Sequence, residues 1–147
     1  MAGKANSNSI GFLELLFQAT ISAGYATLAL NATSSPATNL YVSLHTADPG
    51  AAGSQNTSEA AYTGYARVAV ARTSGGWSIS SETISNAGTI TFPAATGGSE
   101  TETFFGIGLA SSGAGTLLYS GALTSSLAVS NGITPSFASG ALTVTES

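Results

Sequence analysis

From residue 40 onward, short runs of β-forming residues alternate with clusters of Gly, Pro, Asn and Ser. The clusters include "DPG" at 48–50, "SGG" at 74–76, "TGG" at 96–98 and "SNG" at 130–132. Such residues supply the backbone angles that hairpins and corners need. Turn signals repeated about every ten residues are typical of an antiparallel β-sandwich rather than of βαβ units.

The runs between these turns are the candidate strands. They are residues 40–45, 65–72, 76–81, 87–92, 103–110, 116–122, 126–130 with 133–137, and 140–145. Several alternate in character, as in 65–72, where Ala66, Val68 and Val70 fall on one face of the strand. The pattern predicts an all-β fold, an antiparallel sandwich preceded by a short N-terminal helix.

The first 35 residues have a different pattern. Ile10, Leu13, Phe17 and Ile21 recur at helical spacing, after a start at Asn8 or Ser9, and Gly24 is placed to end the helix. We therefore divide the chain into an arm with a helix (1–35) and a β-sandwich domain (36–147). Because further apolar residues widen the stripe, the helix either packs against a partner as well as its own sheet or has one wide core face.

The composition excludes several classes of function. Only 7% of residues are charged, with three Lys and Arg against seven Asp and Glu, and a nucleic-acid-binding surface needs clustered basic residues. The chain has no Cys, which excludes disulfides, Cys-based zinc sites and thiol nucleophiles. The apolar stretch near the N-terminus is interrupted by Glu14 and is too short to span a membrane. We predict no cofactor, no metal, no nucleic-acid or membrane partner, and no export.

His45 and the acids are the residues that could carry chemistry. His45 is the single histidine, but no Gly-x-Ser-x-Gly motif occurs, so we predict that it holds the following loop in place. Glu100 and Glu102 would share one face of a strand, where two like charges repel unless a cation lies between them. We read them instead as solvated charges that prevent edge pairing of the next strand. The sequence predicts no enzyme.

The candidate interface residues are apolar residues of the helix, the two arginines of the 65–72 run, and the single tryptophan: Ile10, Phe12, Leu13, Leu16, Phe17, Arg67, Arg72 and Trp77. An arginine in a chain with so few charges is suited to bind a carboxylate on a partner subunit. A salt bridge within the chain accounts equally well for its presence. Trp77 is either a core residue or an exposed platform.

The blocks "LYVSLHTADPG", "YTGYARVAV", "ISNAGTITFPAATGG", "TFFGIGLASSGAGTLLYSGAL" and "ITPSFASGALTVT", in this order, resemble a family of small tailed-bacteriophage virion proteins. Members of this family are described as tail-fibre-like or as capsid decoration (cement) proteins. The resemblance implies a non-enzymatic component of the virion with a jelly-roll-like β-sandwich.

We expect a capsid decoration protein that forms a trimer or another small homo-oligomer. It would bind the major capsid protein on the outer shell, after assembly in the host cytoplasm. The weakly charged surface supports assembly, since such a surface is most soluble when partners cover it. The alternative is a tail-fibre or receptor-binding module that recognises a host glycan through exposed aromatics such as Trp77 or Tyr62.

Overall fold

The computed structural model describes residues 6–20 and 37–146. Within these residues, helix α1 (Asn6–Gln18) precedes nine strands: β1 (Asn39–His45), β2 (Val68–Ala71), β3 (Trp77–Ser80), β4 (Thr83–Asn86), β5 (Ile90–Thr91), β6 (Ser99–Gly108), β7 (Leu117–Ser130), β8 (Ser136–Phe137) and β9 (Thr143–Thr145). They belong to two compact units, one comprising 1–39, 71–89 and 138–147, the other 40–70 and 90–137.

The second unit is built on a four-stranded sheet of order β2-β1-β6-β7. Its antiparallel register places Ser43 opposite Gly106 and Leu44 opposite Phe105. Every residue from Val42 to His45 is buried, which is expected for an inner strand covered on both faces. β6 also pairs with β7, with a register shift between Glu102 and Phe104.

An aromatic cluster joins this sheet to the two-stranded ribbon of β5 and β8 in the same unit. The Phe137 ring of β8 lies 6.2 Å from the ring of Phe105 on β6 and 6.2 Å from Phe92, and Tyr65 stacks on Phe92 at 6.3 Å. Aromatic pairs at such distances add to the hydrophobic stabilisation of a core. The unit therefore has the layered, sandwich-like arrangement that the sequence predicts.

The first unit consists of the sheet β3-β4-β9 and helix α1. The fully buried Phe17 of the helix packs edge-on against Trp77 of β3, with ring centroids 4.8 Å apart. Ile84 and Leu142 complete this small core. The side chain of Asn86 donates to the carbonyls of Gly88 and Ala138 and accepts from the amide of Leu142, which ties the β4 end to the C-terminal segment.

The fold class is confirmed: antiparallel sheets dominate and one short helix stands near the N-terminus. Turns predicted from "DPG" and "SNG" carry their glycines at positive φ, 71° at Gly50 and 91° at Gly132. The jelly-roll connectivity stays a prediction. The domain boundary at 35/36 and the cap at Gly24 lie outside the described residues.

Several predicted elements differ in extent from those observed, and one observed strand was not predicted. Helix α1 ends at Gln18, where Ala19 takes a left-handed φ of 51° and the amide of Thr20 donates to the Glu14 carbonyl. The runs 116–122 and 126–130 form the single strand β7. Strand β4 was not predicted, because its hairpin turns at Ser81 and Glu82 without Gly, Pro or Asn.

Candidate functional site

His45 and Ser43 form the arrangement that most resembles chemistry. They are two residues apart on β1, so both point to the same face of the sheet, and Ser43 Oγ lies 2.8 Å from His45 Nε2. His45 Nδ1 lies 2.8 Å from the carbonyl oxygen of Thr57, which can only accept, so Nδ1 carries the proton and Nε2 accepts from the serine hydroxyl. Burial lowers the pKa of His45, which keeps the imidazole neutral.

This serine–histidine pair has the contacts of a nucleophile and its base, but it is sealed inside the protein. Both residues are 0% exposed. The strand opposite carries Gly106, where a Cβ atom would lie 2.6 Å from both His45 Nε2 and Ser43 Oγ. The hydrogen bond to Thr57 ties the long loop after β1 to the sheet, at a residue beyond the "TADPG" segment that directly follows His45. The arrangement therefore supports loop anchoring, because a substrate needs access to the nucleophile.

A charged network on the same unit fixes that loop at a second point. Arg67 donates from Nε and Nη2 to the two carboxylate oxygens of Glu59 at 2.6 and 2.7 Å. Its remaining donors reach the carbonyls of Ala110 and Gly113. Tyr65 adds a hydroxyl bond to Glu59 at 2.9 Å, and burial raises its pKa. A bidentate pair whose guanidinium also binds two carbonyls is a strong, specific clamp between loops.

Glu100 and Glu102 share one face of β6, as their spacing predicts, and they lie opposite Val129 and Leu127 of β7. The prediction that both are solvated is wrong for Glu102, which is 0% exposed, with no hydrogen-bond partner for either carboxyl oxygen. Burial, reinforced by the neighbouring Glu100, raises the pKa of Glu102 to about 8. Protonation of Glu102 removes the repulsion between its carboxyl group and that of Glu100. The pair therefore requires neither a cation nor an arginine between the two side chains.

Glu100 has a separate role in the backbone. Its Oε1 accepts from the amides of Ala61 and Tyr62, each at 2.8 Å. The Tyr62 hydroxyl donates to the Pro93 carbonyl at 2.9 Å, and burial raises its pKa to about 12, with a further contribution from Glu102. In the described part of the chain, no group of three His, Asp or Glu side chains could hold a metal ion.

Arg72 caps helix α1 in the first unit. Its Nε donates to the carbonyl of Leu16 and its Nη2 to that of Leu15, both at 2.6 Å, and Nη1 reaches the carbonyl of Ala37. The last carbonyls of a helix lack hydrogen-bond donors inside the helix and carry partial negative charge. An arginine there supplies both the donors and a compensating positive charge. Gln18 also donates to the Trp77 carbonyl at 3.0 Å. The pKa of Arg72 is lowered by burial.

The predicted interface residues thus already have partners within the chain. Leu13, Phe17 and Trp77 are fully buried, and Arg67 is buried against Glu59. The other helix members are half-buried: Ile10, Phe12 and Leu16, on the side of α1 beside Leu13 and Phe17. An additional contact between any of these eight residues and another chain stays a prediction.

The exposed aromatic platform that the glycan hypothesis requires is not formed by Trp77 or Tyr62. Trp77 is 0% exposed and Tyr62 is 3% exposed, so Trp77 is a core residue, the first of its two readings, and neither ring is exposed as the glycan alternative requires. Both rings are covered because the first completes the core under α1 and the second lies beside Tyr65, with ring centroids 5.3 Å apart. Within residues 6–20 and 37–146, every Phe, Tyr and Trp whose burial is described is buried or half-buried.

One surface feature escaped the sequence analysis: the outer edge of β7. This strand stands at the end of the order β2-β1-β6-β7 and is 14 residues long, the longest in the described chain. Its exposed side chains are small and uncharged: Ser120, Ala122, Thr124, Ser125, Ser126, Ala128 and Ser130. These 14 residues contain no charged side chain, which is visible in the sequence. The sequence-based prediction placed two strands there, 116–122 and 126–130, instead of one.

Comparison with known proteins gives the family. A family model described as podophage GP4 fiber I protein gp80 matches residues 20–145, which is most of the chain. No curated protein matches. None of the helices in the described residues is long and apolar enough to cross a membrane. The match agrees with the predicted tailed-phage virion family and, within it, with fibre proteins. The chain belongs to the family of the podophage GP4 fibre I protein gp80.

Proposed function

We propose that the protein is a non-enzymatic structural subunit of a bacteriophage fibre. The observation that carries this proposal is the match to a fibre protein family over residues 20–145. Its location is then the phage particle, with its contacts made to further fibre or tail subunits. The uncharged surface supports the same proposal, because 7% charged residues is far below the roughly 25% of an ordinary soluble domain.

The internal structure suits a building block better than a catalyst. The serine–histidine pair lies at 0% exposure, and the Glu59–Arg67 pair is used to hold loops. These two pairs therefore serve to fix loop segments of the second unit in place. A structural component of a virion must be rigid. Polar groups that are buried and hydrogen-bonded inside the module contribute to that rigidity.

Capsid decoration, the role favoured by the residues alone, is the narrower alternative. A weakly charged surface would suit the outer shell and the major capsid protein as well as it suits a fibre. The family description names a fibre protein, and that favours the fibre. Trp77 and Tyr62 are buried and therefore unavailable to contact a glycan, which weakens the alternative of a glycan-binding fibre module.

The test is the position of the chain in the phage particle. Purified virions would be labelled with antibodies against the recombinant protein and imaged by electron microscopy, with an antibody against the major capsid protein as the control. The proposal predicts label on fibres and a copy number far below that of the major capsid protein. Label distributed over the shell would contradict the fibre role and restore the decoration role.

A further inference from the structure

We propose that β7 pairs edge to edge, in antiparallel orientation, with β7 of a second copy of this chain. The four-stranded sheet would then continue across the two copies. This inference rests on the proposed function in one respect: it names the partner through which a structural subunit assembles. The pairing itself can be measured on the purified protein, without the virion.

The first argument is the geometry of the edge. β7 lies at the end of its sheet, and within residues 6–20 and 37–146 no strand pairs with its outer side. On its inner side it is held to β6 from the Ser99–Ser130 pair to the Gly108–Leu117 pair. The strand is therefore already extended, so a partner need not order it and avoids that entropic cost.

The second argument is the lack of the protection that exposed edges normally carry. Natural edge strands are kept from pairing by Lys and other charged side chains, by Pro, or by being very short. The 14 residues LLYSGALTSSLAVS contain no charged residue and no Pro. Two register shifts interrupt its pairing with β6, one opposite Leu123–Ser126 and one at Leu118, and regular pairing remains at 119–122 and 127–130.

The third argument identifies the occupant as a second copy. Two β7 strands related by a two-fold axis would place Ser, Thr and Ala side chains against one another, with no charge left unpaired on either side. Cross-strand pairs of hydroxyl side chains are favourable, and like charges opposite each other are not. Isologous pairing is also the commonest symmetry of homo-oligomers. The opposite edge, β2, offers only four residues, Val68–Ala71.

A cysteine scan provides the direct test, because the natural chain contains no cysteine to interfere. Single substitutions to Cys would be made at the seven exposed β7 positions and oxidised with copper–phenanthroline in air. These positions are Ser120, Ala122, Thr124, Ser125, Ser126, Ala128 and Ser130. On a two-fold axis, crosslinking is expected to peak at one position and to fall on both sides of it. The matched control is Ala69→Cys, an exposed alanine on the β2 edge.

A second set of variants tests the energy of the contact. Ala122→Lys with Ala128→Lys adds charge to the β7 edge, and Ala69→Lys adds it to the β2 edge. We expect the β7 double variant to raise the dimer Kd roughly tenfold or more, through like-charge juxtaposition, and the β2 variant to leave it unchanged. Sedimentation measures the Kd, and circular dichroism with thermal unfolding confirms that each variant is folded.

The results separate this inference from the proposed function. A monomeric natural chain, a flat crosslinking profile, or equal crosslinking of Ala69→Cys would overturn the edge pairing even if the chain is found on fibres. A β7-dependent dimer found on the capsid shell would keep the pairing and overturn the fibre role.

Discussion

At the scale of single residues, this protein places its polar chemistry inside and leaves its surface almost without charge. His45, Arg67 and Glu102 are buried, whereas the exposed side of β7 consists of Ser, Thr and Ala. Burial of a polar or charged side chain is unfavourable unless it is compensated, and each of the three is compensated differently. His45 is a neutral imidazole between two partners, Arg67 forms a bidentate ion pair, and Glu102 is a protonated acid. The three make separate predictions.

Glu102 should make the stability depend on pH. Burial raises its pKa from the ordinary glutamate value of 4.5 to about 8 in the folded protein, so the folded state binds more protons between those values. The free energy of unfolding should fall as pH rises from about 5 to 8, by up to about 5 kcal/mol in total. Glu102→Gln cannot ionise and should flatten this dependence, as measured by urea unfolding at several pH values. An unchanged pH profile in the variant would contradict the assignment, and Glu82→Gln serves as the control.

Removing one partner of the Arg67–Glu59 pair should cost more than removing both. Arg67→Met leaves the Glu59 carboxylate, whose side chain is 15% exposed, without its cation. We expect a loss of about 3 to 5 kcal/mol, because an uncompensated charge remains in a largely buried site. The double variant Arg67→Met with Glu59→Gln should regain part of that loss, as measured by denaturant unfolding. Equal losses in the single and double variants would show that the pair is not coupled.

Gly106 should tolerate no side chain. A Cβ atom there would meet His45 Nε2 and Ser43 Oγ at 2.6 Å, and the overpacking should destabilise by about 1 to 3 kcal/mol. The matched control is Gly88→Ala, where nothing lies within 4 Å and φ is not positive, so the change should be neutral or slightly stabilising. Thermal unfolding of the two variants compares them. A neutral Gly106→Ala would show that the hydrogen bond between Ser43 and His45 is dispensable.

At the scale of the elements, ring packing and hydrogen bonds attach helix α1 to its unit. The described contacts include the ring pair Phe17–Trp77, the Gln18 bond to the Trp77 carbonyl, and the Arg72 cap. Arg72→Met keeps the length of the side chain but leaves the carbonyls of Leu15 and Leu16 without their donor. We expect faster amide exchange in α1, by about tenfold or more, with little change in β6. Equal protection of α1 in both proteins would contradict the capping role.

The elements also show what a sequence can reveal. Glycine and proline turns predicted most strands, since Gly50 and Gly132 do adopt the positive φ that those turns require. The hairpin of β3 and β4 was missed because Ser81 takes a φ of 55° without the residue types that announce such a turn. The burial of Glu102 was not predicted. The alternation of side chains along a strand assigns Glu102 to one face of the sheet, but it does not reveal which residues cover that face. The interior location of Trp77 was one of two open readings, decided only by its contact with Phe17.

At the scale of the whole molecule, the family match and the uncharged surface converge on a structural role in a phage fibre. The tryptophan and tyrosine named in the glycan alternative are buried, and the Ser43–His45 pair is buried as well. The described surface includes the extended edge of β7 and many exposed Ser, Thr and Ala side chains. Such features suit assembly more than they suit recognition of a small ligand.

Cryo-electron microscopy of the intact virion tests this account most directly. The account predicts that density fitting the four-stranded sheet β2-β1-β6-β7 occurs in the fibres, at a fibre's copy number. The same density on the capsid shell, bound over the major capsid protein, would contradict it.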